Sequence, residues 1–90
     1  MEEIEFRYDT QLLIDGEQLD EDEIDEYIRE HFEGDSLLVI ADEEDNGRYT
    51  AKLHFHTNKP WEILEYCRTL GEIYDIVVED MVRQSRGERG

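Results

Sequence analysis

Between Ile4 and Ile14 the chain alternates, with Ile4, Phe6, Tyr8, Thr10, Leu12 and Ile14 on one parity and Glu5, Arg7, Asp9, Gln11 and Leu13 on the other. A period of two over a β-prone run predicts a strand with one buried face. Asp15-Gly16 breaks that run. Asp20 followed three residues later by Glu23 has the form of a capping box, in which each end of the motif satisfies an otherwise unpaired backbone N–H of a helix start. Ile24, Tyr27, Ile28, His31 and Phe32 then recur at helical spacing, and Gly34 is the expected stop. Leu37 to Ala41 is a short apolar run, and Asn46-Gly47 separates it from a second alternating segment, Arg48 to His56. Asn-Gly is favoured in hairpin turns that need positive φ, so two antiparallel strands follow. Pro60 suits the first turn of a second helix with Ile63, Leu64, Cys67 and Leu70 on one stripe and Gly71 at its end, and Ile73 to Val78 reads as a last strand.

Strand, helix, strand, strand, helix, strand is the order of a ferredoxin-like split βαβ sandwich, an α+β fold. It predicts a four-stranded antiparallel sheet, the first and third strands adjacent at its centre, and two helices on one face. Residues 1–84 are expected to form a single domain and residues 85–90 a flexible C-terminal tail, since no apolar period follows Met81.

This arrangement turns residue parity into a candidate site. Tyr49, Ala51, Leu53 and Phe55 share the apolar parity of the third strand, which sends Lys52, His54 and His56 to the uncovered face. The same rule sends Arg7, Asp9 and Gln11 outward from the first strand. His-x-His sets two imidazoles about 7 Å apart at Cα on one face, compatible with two ligands of one zinc ion, and Asp9 would be the third. A fourth position would stay open to water or substrate. Without metal, a histidine oriented by Asp9 would serve as acid, base or stabiliser of a transferring phosphoryl group. Polar residues on a solvated face are the alternative to both. His31 falls in the last helical turn and is expected to complement the helix dipole. Cys67 lies on an apolar stripe and is expected to be a buried small hydrophobe, and Trp61 is expected to pack at the helix edge.

Composition narrows the function. The chain has 90 residues, and 9 Lys plus Arg against 26 Asp plus Glu give a formal net charge of −17. That field repels nucleic acid and anionic membrane surfaces. The acid concentrates at Glu17 to Asp25 and Asp42 to Asp45, where a solvated face and a turn account for it; a docking surface for a basic partner is the other reading. One cysteine excludes an internal disulfide. No apolar run approaches the roughly 18 residues of a membrane span, and the first residues lack the basic and apolar regions of a signal peptide, so a cytoplasmic protein is expected. There is no glycine-rich phosphate loop.

Tyr8-Asp9-Thr10-Gln11-Leu12-Leu13, Gly34-Asp35-Ser36-Leu37-Leu38-Val39, His54-Phe55-His56-Thr57-Asn58 and Leu64-Glu65-Tyr66, continued by Gly71-Glu72-Ile73, Asp75-Ile76 and Glu79-Asp80-Met81, resemble in order the middle domain of the dihydroxyacetone-kinase-like family. Its best-understood branch is the ATP-binding subunit of bacterial fatty acid kinase. The resemblance runs from about Phe6 to Gln84. It implies a place between a nucleotide-binding domain and a C-terminal domain, with a separate fatty-acid-binding protein presenting the substrate. His54 and His56 match the His-x-His associated there with phosphoryl transfer or metal binding. Two departures stand out: Asp9 occupies the usual place of a cysteine, and Lys59 replaces an acidic residue before the proline. ATP and Mg²⁺ would enter only through the separate nucleotide-binding domain, so no kinase activity is expected from this chain alone.

Overall fold

A computed structural model describes residues 5–85. Strand β1 (Tyr8–Gly16) leads to helix α1 (Glu21–His31), then β2 (Asp35–Glu43), β3 (Tyr49–Thr57), helix α2 (Pro60–Leu70), β4 (Glu72–Asp80) and a short helix α3 (Met81–Ser85). The sheet order is β2-β3-β1-β4, with every neighbouring pair antiparallel. This is the ferredoxin-like α+β sandwich the pattern predicts, with β1 and β3 at the centre.

Local chemistry sets the elements. Asp20 caps α1, its side chain accepting from the Glu23 backbone N–H at 3.1 Å, and Pro60 opens α2 where its missing N–H has no intrahelical partner. Gly47 takes φ 84° in the hairpin turn. Leu12 and Ile14 of β1, Val39 of β2 and Ala51, Leu53 and Phe55 of β3 meet Ile24 and Ile28 of α1 and Ile63 and Cys67 of α2 in one core. The helices therefore cover one side of the sheet, and the opposite parity of each strand is left uncovered.

Element boundaries differ from the sequence pattern in instructive ways. β1 begins at Tyr8 and does not stop at Asp15-Gly16, because Asp15 pairs with Thr50 and Glu72, and Gly16 pairs with Tyr49; Ile4 lies outside the described residues. α1 ends at His31, where Phe32 turns extended while its N–H still bonds the Ile28 carbonyl, so Gly34 is not the stop. Trp61 is 60% exposed; one helical step of about 100° past Pro60 carries it off the buried stripe, so it does not pack at the helix edge.

Helix α3 has no apolar period to announce it. It is organised by Asp80, whose carboxylate accepts from the Val82 and Arg83 backbone N–H groups at 3.1 Å each and from Arg7 at 2.7–3.0 Å. The Arg7 guanidinium holds the Asp80 carboxyl below the usual carboxylate range. The expected tail begins at Ser85, the last residue of α3; residues 86–90 lie outside the described residues.

Candidate metal centre on the open face

Pairing of β1 with β3 sets Asp9 opposite His56 and Gln11 opposite His54. All four side chains leave the sheet on the uncovered side, since the alternate positions Thr10, Leu12, Leu53 and Phe55 are buried beneath the helices. His54 Nε2 lies 3.0 Å from His56 Nε2, and Asp9 Oδ1 lies 3.4 Å from the first and 3.8 Å from the second. The point equidistant from three atoms so arranged is about 2.0 Å from each, the length of a zinc bond to nitrogen or to carboxylate oxygen. The donor set fits a small divalent cation, and each side chain is 21–30% exposed, so an approach from solvent is open.

The surroundings hold these donors in place. The Gln11 side-chain amide donates to Asp9 Oδ1 at 3.4 Å. On the far side, Asp9 pairs with Glu79 of β4, whose carboxylate accepts from the Gln84 amide. His56 turns its other nitrogen, Nδ1, toward Asp35 Oδ1 at 3.4 Å. Three carboxylates thus ring two imidazoles, an arrangement that draws a cation and resists an anion.

Parity and topology bring Asp9, His54 and His56 together as expected from the sequence. Sequence reasoning missed Asp35. Counting back from Leu38 and Ile40, whose exposed side chains share the open face, simple alternation puts Asp35 among the core positions. A bulge between Asp35 and Leu38 reverses it; a glycine at the start of a strand run is the one sequence signal for such a bulge. The other singled-out residues stand apart. His31, on the helical layer, bonds the Tyr27 carbonyl through Nδ1 at 2.9 Å and stacks on the Tyr27 ring. Cys67 is fully buried, and burial pushes its thiol up to about 12.

A sequence profile for the middle domain of FakA-like fatty acid kinase proteins matches residues 5–88. The chain belongs to this family. Protein YloV of Bacillus subtilis is 35% identical over 85 residues, covering 92% of this chain and 14% of its own length. An uncharacterised protein of Staphylococcus epidermidis is 34% identical over 89 residues, covering 94% of this chain and 15% of its own. A Staphylococcus saprophyticus protein is 45% identical over 53 residues, covering 59% of this chain and 9% of its own. This FakA-like middle domain therefore corresponds to a small part of the length of those relatives. Among the described residues, no helix is long and apolar enough to cross a membrane.

Proposed function

We propose that this chain acts as the middle domain of a fatty acid kinase-like assembly, offering a metal-binding His-x-His site for phosphoryl transfer to a fatty acid held by a partner. The observation that carries the reading is the convergence of Asp9, His54 and His56 on the open face, with one donor atom from each lying within 4.8 Å of the others. Asp9, His54 and His56 would hold zinc, with Gln11 fixing the carboxylate. Bound there, zinc would supply positive charge that polarises a substrate oxygen. The chain's own part is to aim two Nε2 lone pairs and one carboxylate at a single point that a carboxylate or phosphate can reach from solvent. Asp9 is a harder ligand than the cysteine that the resemblance puts at this place, so the domain should hold zinc more weakly than a thiolate-bearing relative. Nucleotide and Mg²⁺ would come from a separate nucleotide-binding domain.

A second reading is favoured by Leu38, Ile40, Tyr74 and Val77, which are exposed large hydrophobics. Leu38 and Val77 flank the row of His54 and Gln11 from either side. In that reading the face is a non-catalytic docking surface.

Reconstitution separates the two. Pure chain with ATP, Mg²⁺ and a long-chain fatty acid is expected to produce no acyl phosphate. Adding a nucleotide-binding domain of the same family and a fatty-acid-binding protein should restore it, and alanine at His54 and His56 should lower the restored rate by roughly 10²-fold or more, the scale of a lost acid–base or electrostatic group. Equal turnover with wild-type and doubly substituted chain would leave only the docking role.

A further inference from the structure

The segment Gly34-Asp35-Ser36 has no part in the donor set, yet its geometry is specialised at all three positions. A Cβ on Gly34 would lie 2.2 Å from Phe55 Cζ and 2.3 Å from the His56 carbonyl oxygen, so only glycine lets the backbone pass this close to His56. Ser36 takes φ 56°, the left-handed region that side chains other than those of Gly, Asn and Asp seldom enter. Between Asp35, opposite His56, and Leu38, opposite His54, β2 carries one residue more than β3. That extra residue reverses the parity of the strand and swings Asp35 out of the helical side and onto the open face.

The consequence falls on one atom. Asp35 Oδ1 stands 3.4 Å from His56 Nδ1, while His56 Nε2 faces His54 Nε2 and Asp9. A neutral imidazole has one N–H and one lone pair. A carboxylate beside Nδ1 draws the N–H to that side, which leaves the Nε2 lone pair directed into the site. We propose that Asp35 is the positioning residue of the centre: the Gly34-Asp35-Ser36 bulge holds a carboxylate behind His56 and so fixes its tautomer and ring orientation as an Nε2 ligand. This rests on the metal-site reading above. In metal sites generally, a carboxylate behind a ligating histidine orients the ring and raises its basicity. Gln11 does the corresponding work for Asp9, so two of the three donors have a support and His54 has none among the described contacts.

Two measurements test the assignment. In uniformly ¹⁵N-labelled, metal-free protein in mildly alkaline buffer, long-range ¹H–¹⁵N spectra report which nitrogen of His56 is protonated. Wild-type protein is expected to show Nδ1–H, and Asp35→Ala to shift toward Nε2–H, with Asp35→Glu returning toward wild type. By calorimetric titration with zinc, Asp35→Ala should weaken binding by roughly 10- to 100-fold, with Asp35→Glu recovering part of the loss and both variants melting near wild type. A wild-type His56 protonated at Nε2, or Asp35→Ala protein binding zinc as tightly as wild type, would overturn the proposal. If wild-type protein binds no zinc, the metal-site reading fails, and the tautomer spectra alone decide the role of Asp35.

Discussion

Alanine at both His54 and His56 is expected to abolish specific zinc binding while leaving the fold in place. The two side chains are 30% and 22% exposed on the uncovered face and bury no core surface, so their loss should move the metal-free melting temperature by only a few degrees, about the ±0.5 kcal/mol of an ordinary surface change. Binding is another matter. Removing one support behind a ligand lowers affinity roughly 10- to 100-fold, and removing two ligands should exceed roughly 10²- to 10⁴-fold. Melting with and without metal shows the contrast. Zinc at a hundred times its Kd stabilises a protein by about 2.7 kcal/mol, some 10–20 °C for a domain of this size. Wild-type protein should show that shift and the double variant should not. Equal shifts would assign the zinc to other groups among the many carboxylates.

Alanine at Gly34 should have the largest effect on stability. The added methyl meets the Phe55 ring and the His56 carbonyl well inside contact distance. Phe55 is buried at 2% exposure, and the carbonyl belongs to the central strand β3, so neither gives way cheaply. Overpacking of that kind costs on the order of 2–4 kcal/mol, a fall of roughly 10–25 °C in Tm. Gly47 provides the comparison. A Cβ there has open space but must adopt φ 84°, and Gly47→Ala should cost only about 1 kcal/mol. Thermal melts that rank Gly47→Ala as the more damaging would contradict the close approach at β3. Because Gly34 adjoins Asp35, the Gly34→Ala protein should also bind zinc more weakly even where it remains folded.

What the sequence made legible follows from physical range. Period-two runs, the Asp20 cap, Pro60 and Asn46-Gly47 act over a few residues, and each marked a real element. Placing Asp9 beside the histidines needed one further step, the adjacency of the first and third strands, which the order of elements supplied. Asp35 was out of reach because a bulge inverts strand parity, and neither the left-handed Ser36 nor the pressure of Phe55 on Gly34 can be read from residue types alone. Helix α3 escaped for a related reason: it is five residues long, and its organiser, Asp80, gathers Arg7 from the other end of the chain. Trp61 shows the opposite error, in which apolar character suggested packing that the helix rotation denies. The bulge between Gln11 and Leu13, across from the positive-φ Asp75, was equally invisible, yet it leaves the pairing of Asp9 with Glu79 intact.

X-ray absorption spectroscopy at the zinc edge, on wild-type protein loaded with one equivalent of zinc, tests the metal centre most directly. Scattering from imidazole rings identifies histidine ligands, and sulfur stands apart from lighter donors by its longer bond. The account predicts two imidazoles and one carboxylate oxygen at about 2.0–2.2 Å, a further light atom from solvent, and no sulfur. Zinc bound by carboxylates alone, or a spectrum unchanged when His54 and His56 are both alanine, would contradict it.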